Sequence, residues 1–280
     1  SRNADRVYDD FYAETNFADL MATSYDIEHK DNLTSACASI EYEACEASLI
    51  LTGQSKTDVD WIASKFYGIE QGDVNKLWAV EGSVTPSAGE VVIDAHFALH
   101  DEINMEIGDT IDIIVGEEGV QTFTVIGIAN SPLELFYANP DSLLPQESTY
   151  VVAYMDAEVL AEVSGNEPLA RNTLNIDLLG TPEFDFSDTE EIEGLALQQI
   201  KGTLEQGMNA SETDGYVLDR GQLSAELLRL DKDSLSKAIP FILGILLFIS
   251  GLVIAVSLDR LIRTQSREIA VLRTIGASTG

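Results

Sequence analysis

Two histidines form the arrangement in this sequence that comes nearest to metal chemistry. His96 and His100 are four residues apart on a short predicted helix, so both imidazoles would lie on one face of it. The carboxylates of Asp94, Asp101 and Glu102 are close by in the sequence. The spacing identifies no third ligand, and exposed helices commonly carry such polar residues. We therefore predict an ordinary exposed helix without a metal ion.

The sequence lacks the motifs of the common catalytic and nucleotide-binding sites. It has no GxxxxGK phosphate loop, so any ATP must be hydrolysed by another polypeptide. It also has no HExxH motif and no pair of CxxC motifs. We predict that the chain is not an enzyme and needs no cofactor.

The only two cysteines, Cys37 and Cys45, lie eight residues apart. Outside the cytoplasm they can be oxidised to a disulfide that fixes a local turn. Two separate buried thiols are the alternative, because sequence spacing does not determine whether the Cβ atoms can approach. Asn32 and Asn209 each begin a glycosylation sequon, a motif compatible with an exported surface but common by chance.

A run of 21 residues without a charged side chain, 238–258, predicts a transmembrane helix. With a rise of about 1.5 Å per residue, such a helix is long enough to cross the hydrocarbon core of a bilayer, which is about 30 Å thick. Lys and Arg beside a span stay on the cytoplasmic side, so 259–280 is predicted to be cytoplasmic and 1–236 extracytoplasmic. The arginines of the cytoplasmic segment are Arg260, Arg263, Arg267 and Arg273.

The predicted outer domain is strongly acidic. Residues 1–236 hold 46 of the 48 acidic residues and 11 of the 16 basic ones, a net charge of −35. The acids are spread along the chain, which favours a surface kept soluble in salt over the alternative, recruitment of a cationic ligand or basic partner. Nucleic-acid binding is excluded as a function class, because no basic stripe could meet the phosphates.

The hydrophobic pattern predicts an α+β outer domain with two subdomains. Two segments, 110–115 and 121–128, alternate with period two across a GEEG turn and predict a hairpin. Strands and helices interleave between residues 150 and 218, which predicts a small ferredoxin-like α/β unit attached to an all-β middle segment. The other predicted elements are a helix and a strand within 5–27, strands at 48–52 (closed by Gly53), 90–94, 150–154, 173–179 and 215–218, and helices at 95–102, 157–163 and 189–206.

A stalk helix at 222–237 is predicted to lead into the span, because its leucines are spaced for one apolar face. The alternative is a plain linker, although a flexible linker would carry more Gly and Ser than this segment does. Within the span, Gly244, Gly251 and Ala255 are small residues that would allow another helix to approach closely. Their alternative interpretation is the ordinary glycine content of membrane helices.

The cytoplasmic sequence RTQSREIAVLRTIGAS resembles the signature that follows a transmembrane helix in FtsX-like (MacB-type) ABC transporter permeases. Arg267 adjoins Glu268 directly, so Arg263 or Gln265 would take the earlier polar position. Outer stretches such as GEVVIDAHFAL and FTVIGIA look like the extracytoplasmic core domain that these permeases insert between their first two transmembrane helices. The residues that match the signature are Arg267, Glu268, Ile269, Val271, Leu272, Arg273, Ile275, Gly276, Ala277 and Ser278.

The resemblance implies a coupling helix that docks on an ABC ATPase subunit. Ile269, Leu272 and Ile275 recur at three-residue steps and give one apolar stripe, which would enter a groove of the partner, and Gly276 can end the helix. Glu268 and Arg273 would make polar contacts at the rim, with Arg267 beside them. The alternative from the residues alone is an interfacial helix whose arginines anchor it to lipid.

The resemblance further implies a permease subunit in the cell membrane that transmits ATP-driven motion to its outer domain. A second copy or a related permease would complete a dimer, and the cargo would be lipoprotein, peptide, lipid or drug. We expect a fragment of a longer membrane protein, with a hydrophobic segment before Ser1 and further spans after Gly280. The alternative function is a single-span, membrane-anchored binding or sensor protein.

Overall fold

The computed structural model describes residues 2–57, 60–70, 72–135, 148–181, 195–219, 243–251, 253–254 and 257–258. The chain divides into two compact units, residues 1–229 and 230–280. Its first unit contains, in chain order, α1 (Arg2–Glu14), β1 (Leu20–His29), α2 (Lys30–Ser35), a 3₁₀ turn (Ala36–Ser39), β2 (Tyr42–Lys56), β3 (Trp61–Ile69), β4 (Trp78–Gly82), β5 (Glu90–Asp94), α3 (Ala95–Ala98), β6 (Thr110–Ile114), β7 (Val120–Asn130), β8 (Tyr150–Asp156), α4 (Ala157–Val163), β9 (Ala170–Leu178), α5 (Leu195–Ala210) and β10 (Gly215–Asp219).

Four antiparallel strands in the order β10-β1-β9-β2, with α2, the 3₁₀ turn and α5, form a ferredoxin-like subdomain. The sequence predicted such a unit and correctly included β9, α5 and β10, but it wrongly included β8 and α4, which do not belong to it. Instead β9 pairs with β1 and β2, which come from the first 56 residues. Strands that follow one another in a sequence need not pair, and the helix-strand pattern alone does not identify the partner.

The segment from β3 to α4 forms the second, inserted subdomain. It is not all β, because α3 and α4 lie within it. Two of its strand pairs are parallel, β3 with β8 and β5 with β7. The predicted hairpin is confirmed: β6 and β7 are antiparallel, with Ile111 opposite Phe123. Buried side chains from β3, β5, β7 and β8 make its core, among them Phe66, Val91, Ile93, Val125 and Val152.

One long strand, β2, connects the two subdomains into a ten-stranded sheet. Residues 42–48 pair with β9, and residues 49–56 pair with β3. The sequence predicted that this strand ends at Gly53, which is wrong, because Gly53 pairs with Ser64 inside it. A Cβ at Gly53 would lie 3.0 Å from the Phe66 ring and even closer to the Ile114 carbonyl oxygen. The glycine therefore permits the close approach of β6 and does not end the strand.

Helix α3 is shorter than predicted. It spans Ala95–Ala98 instead of reaching residue 102, and Asp94 caps its first turn by accepting from the His96 N–H. The Met105 N–H donates to the Ala98 carbonyl at 2.9 Å, so the chain turns back where the predicted helix would have continued.

The described residues of the second unit are helical, and none of them is charged. They are 243–251, 253–254 and 257–258, within the predicted span. No helix among the residues described here has both the length and the hydropathy needed to cross a membrane. Gly244 and Gly251 lie on this helix, and a Cβ at either would meet no described atom within 4 Å. Ala255, the predicted stalk helix 222–237 and segment 259–280 lie outside the described residues.

Candidate functional site

The residues predicted to couple to an ATPase all lie outside the part of the chain that the structure describes. Their role stays a prediction from the sequence. They are Arg267, Glu268, Ile269, Leu272, Arg273, Ile275 and Gly276.

The two histidines have separate local partners. His96 Nδ1 lies 2.8 Å from the Asp94 carboxylate, whereas His100 Nδ1 accepts from the Glu102 N–H at 3.3 Å. Helix α3 ends before His100, so the two rings do not share a helical face. The described ranges contain no group of three His, Cys, Asp or Glu side chains that could hold a metal ion.

Cys37 and Cys45 are joined by a disulfide. The bond connects the 3₁₀ turn to the start of β2, on the side of the ferredoxin-like subdomain where α5 packs. Cys37 is buried, and Cys45 packs against the same apolar core. A structural disulfide of this kind is typical of an oxidising compartment.

Helix α1 packs against the rest of the first unit through a small aromatic core. Phe11, Tyr12 and Phe17 are buried together and pack with Leu133 and Leu135. The Tyr12 and Phe17 ring centroids are 4.9 Å apart, which is within the range of favourable aromatic pairs. Apolar packing therefore attaches the end of α1 to the segment that follows β7.

A loop at residues 72–77 holds the turn after α1 by hydrogen bonds. The Asn75 N–H donates to the Asn16 carbonyl at 2.8 Å, and the Lys76 N–H donates to the Thr15 carbonyl at 2.7 Å. The Asn75 side chain also accepts from the Ala18 N–H at 2.9 Å. Asn75 has a φ of +52°, a conformation that asparagine tolerates better than most residues. The 72–77 loop thus binds the turn after α1 at three points.

The same loop is bound to the sheet beneath it. Glu46 on β2 accepts from the Asp73 N–H at 2.6 Å and from the Val74 N–H at 3.2 Å. Asn75 Nδ2 donates to Asn175 Oδ1 on β9 at 3.0 Å, and Asn175 Nδ2 donates to the Ser48 hydroxyl at 3.1 Å. The loop therefore connects α1 to the face of the sheet opposite the ferredoxin-like helices.

A cavity of about 300 Å³ lies between the 72–77 loop and the sheet. The stacked rings of Tyr67 and Tyr154, with centroids 5.4 Å apart, form part of its wall. Both subdomains line it, so it sits where the two meet. Its further polar lining includes Glu46, Ser48, Glu70, Asn75, Asp156 and Asn175, and its apolar lining includes Ile69, Val74, Leu77, Val84, Pro86 and Leu133.

Behind the cavity wall, Glu134 accepts two hydrogen bonds from β3. Lys65 Nζ lies 2.6 Å from its carboxylate, and the Tyr67 hydroxyl donates to the same oxygen. Burial raises the pKa of Tyr67 well above its ordinary value, and the Glu134 charge raises it further. Burial, followed by the Glu134 charge, also raises the pKa of Tyr150. These phenols therefore stay protonated, and Tyr67 remains a hydrogen-bond donor.

Asp94 is the second buried carboxylate behind the cavity. It is fully buried, and the Tyr154 hydroxyl donates to it at 3.2 Å, while His96 contacts its other oxygen. Burial raises the pKa of Asp94, and the hydrogen bonds and charge of His96 oppose that rise in part. Each tyrosine of the stacked pair is therefore fixed by its own acidic partner.

Glu70, at the edge of the cavity, is engaged by two cations. The guanidinium of Arg171, which is 1% exposed, donates to one carboxylate oxygen at 2.8 Å, and Lys30 Nζ lies 2.5 Å from the other. The remaining Arg171 donors reach the carbonyls of Pro168 and Ala170. A buried charge is tolerated when it is paired and hydrogen-bonded in this way, so the cluster links the start of α2, the end of β3 and β9.

Sequence reasoning missed the whole cavity. Its polar residues come from distant segments, including those near residues 46, 75, 156 and 175, and no spacing rule connects them. One signal was present, because Asn175 and Asp177 interrupt the apolar residues Leu174, Ile176 and Leu178. Such interruptions indicate a face that meets polar groups.

The chain matches no protein-family model and no curated protein. Among solved structures, it is similar to the extracellular domain of the noncanonic ABC-type transporter YknZ from Gram-positive bacteria, with 12% identity, a TM-score of 0.45, and coverage of 72% of this chain and 98% of that one. It is also similar to the periplasmic region of MacB from Actinobacillus actinomycetemcomitans, with 10% identity, a TM-score of 0.44, and coverage of 76% and 92%. Both of these neighbours are domains that lie outside the cytoplasm.

Proposed function

We propose that the chain is a permease subunit of the FtsX/MacB type in an ABC transporter. The observation that carries the proposal is the helix of the second unit, whose described large apolar side chains are 44–72% exposed on all faces. Each such side chain gains about 1.5–3 kcal/mol by leaving water, so a helix apolar all round belongs in lipid or against other helices. The signature at 263–278 follows this helix directly.

In the proposed orientation, the acidic first unit lies outside the cytoplasm. The arginines after residue 258 favour a cytoplasmic location for 259–280. The Cys37–Cys45 disulfide supports an oxidising compartment for the first unit. These two supports are independent, since one comes from charge and the other from a covalent bond.

In this proposal, the outer domain receives motion and does not generate it. A partner ATPase would move the coupling helix through Leu272 and its neighbours, and the span 238–258 would carry that motion outward. Within the first unit, α1 is fixed to the sheet by the 72–77 loop and by the 131–135 segment, so a displacement of α1 would reach both subdomains. The dimeric partner would be a second copy or a related permease, and the cargo would be a lipoprotein, peptide, lipid or drug.

The ATPase partnership is tested by placing a charge in the apolar stripe of the coupling segment. We expect Leu272→Asp to reduce co-purification of an ATPase from native membranes by about tenfold or more, because a carboxylate in an apolar groove lacks a partner. Thr274→Asp is the matched control, since it adds the same charge on the opposite face of the predicted helix. Capture is measured by mass spectrometry of the material purified in a mild detergent.

Equal capture by Leu272→Asp and the unmodified chain would reject the coupling role. If no form captured an ATPase with a phosphate loop, the alternative of a membrane-anchored binding or sensor protein would be favoured.

Orientation is tested with single new cysteines, because both native cysteines are held in the disulfide. Glu117→Cys lies in the exposed turn between β6 and β7, and Ser278→Cys lies in the predicted cytoplasmic segment. We expect a membrane-impermeant maleimide to label the first in intact cells and the second only after lysis. The reverse pattern would overturn the proposed topology.

A further inference from the structure

We propose that the cavity beneath the 72–77 loop binds a small organic cation with an apolar or aromatic body. The cavity lies wholly within the first unit, and this inference does not require an ATPase or a particular membrane orientation. It therefore goes beyond the proposed permease function and can succeed or fail separately from it.

The charged lining of the cavity favours a positive ligand. Glu46 and Asp156 line it, and the hydrogen bonds that they accept come from backbone N–H groups, which leave their negative charge uncancelled. Lys76 is the single cation among the described lining residues, and its Nζ lies 3.4 Å from Asp73. Glu70 is already neutralised by Arg171 and Lys30. The lining thus keeps two negative charges without a cationic partner, those of Glu46 and Asp156.

The remaining walls suit an apolar or aromatic body. Tyr67 and Tyr154 are 4% and 1% exposed, and their stacked rings are fixed because each hydroxyl donates to a buried carboxylate. Leu77, Val84 and Leu133 supply aliphatic surface on other sides. Lys65 Nζ lies 4.9 Å from the Tyr67 ring centroid, so this ring already has a cation partner, and the two rings line the cavity as apolar surface.

The volume and the rigidity of the cavity suit a small molecule. About 300 Å³ is at the lower end of the roughly 300–1,000 Å³ typical of ligand pockets. Its loop side is held by hydrogen bonds at Asp73, Val74 and Asn75, so binding would not have to order this loop. The net charge of −35 on residues 1–236 would also raise the local concentration of cations.

Calorimetry on the full chain in a neutral maltoside detergent tests the assignment. The probes are phenethylamine, which is a cation at pH 7, the uncharged 2-phenylethanol and the anion phenylacetate. We expect saturable one-to-one binding of the amine, about tenfold weaker binding of the alcohol and none of phenylacetate, because only the amine pairs with the wall carboxylates. Added salt should weaken amine binding.

Two variants locate the binding. Asp156→Asn removes a wall charge but keeps the helix cap, since asparagine caps helices as well as aspartate does. We expect it to weaken amine binding about threefold to tenfold, whereas the matched change Asp101→Asn, at an exposed carboxylate away from the cavity, leaves binding unchanged. Val84→Trp fills the cavity and should abolish binding while the unfolding midpoint stays close to that of the unmodified chain.

Three results would overturn the proposal. The first is equal affinity for phenethylamine and 2-phenylethanol, which would mean that the site does not recognise charge. The second is undiminished binding by Val84→Trp, which would place the ligand elsewhere. The third is an equal loss in Asp101→Asn and Asp156→Asn, which would attribute the effect to overall charge. Because none of these measurements involves an ATPase, their failure is distinguishable from failure of the permease proposal.

Discussion

The two faces of the ferredoxin-like sheet are built from the same strands but in different ways. On one face, Ala47, Leu174 and Ile176 are buried under α2, the 3₁₀ turn and α5. On the other face, their neighbours Glu46 and Asn175 are bound by the 72–77 loop and line the cavity. Because side chains alternate along a strand, one sequence can supply a sealed core and a polar site one residue apart.

The two faces should therefore contribute differently to the stability of the fold and to the geometry of the cavity. Burial of a leucine contributes about 1.5–3 kcal/mol, whereas a hydrogen bond contributes about 0.5–1.5 kcal/mol net. The helix-covered face should therefore dominate stability, and the loop-covered face should dominate the attachment of α1 and the shape of the cavity. Both tryptophans, Trp61 and Trp78, lie in the first unit, so their fluorescence reports on its unfolding.

The largest difference is expected from two adjacent truncations on β9. Leu174→Ala should reduce the free energy of unfolding by about 2–5 kcal/mol, because Leu174 is fully buried and the change leaves a space in the core. Asn175→Ala should cost only about 1–2 kcal/mol, since it removes the hydrogen bonds to Asn75 and Ser48. Urea unfolding followed by tryptophan fluorescence measures both. Equal losses would remove the distinction between the two faces.

The disulfide is expected to make the next largest contribution, also on the helix-covered face. Replacing Cys37 and Cys45 together by serine should cost about 2–3 kcal/mol, from the entropy of the short loop that the bond closes. Reduction of the unmodified chain should give a similar loss in the same urea experiment. A chain that unfolds at the same urea concentration with and without reductant would contradict this prediction.

On the loop-covered face, Asn75 is the residue whose loss should affect the attachment of α1 most. Asn75→Ala removes hydrogen bonds to Ala18 and Asn175 and places alanine at a φ of +52°, so we expect a loss of about 2 kcal/mol. Hydrogen exchange should become faster at the Ala18 amide, while the amides of β9 change less.

Asn75→Gly is the control for backbone strain. It loses the same side-chain hydrogen bonds but tolerates a positive φ, so it should be about 1 kcal/mol more stable than Asn75→Ala. If the two variants were equally stable, conformational strain at this position would play no part. Unchanged exchange at Ala18 in both variants would show that the side chain does not hold the turn after α1.

Much of the local structure could be predicted from the sequence. The hairpin of β6 and β7 and the bounds of α4 depend on residues close together in the chain, where periodicity is informative. Strand partnership was harder, because β9 pairs with residues more than a hundred positions away in β1 and β2. Gly53 looked like a strand end although it permits a close approach inside the strand.

The candidate site could not be predicted because its residues become neighbours only after folding. Asn75, Asn175 and Glu46 belong to a loop and two strands, and their shared hydrogen bonds depend on the pairing of β2 with β9. The residues predicted to couple to an ATPase are the opposite case, since Leu272 and its neighbours are contiguous and their prediction rests on a local motif. Contiguous sites can be inferred from sequence, whereas assembled sites require the fold.

The smallest expected effect concerns Asp94, which supports the cavity wall through Tyr154. Burial raises the pKa of Asp94 in the folded chain, so between its unfolded value of about 3.9 and its folded value only the folded state holds the proton. Stability from this group is therefore present at low pH and falls by about 1.4 kcal/mol per pH unit as the pH rises through that interval. Asp94→Asn keeps the helix cap and cannot titrate, so the difference in unfolding free energy between the chain and this variant should decline with pH from about pH 4 upward. A difference that stays constant with pH, or rises, would mean that folding does not raise the pKa of Asp94.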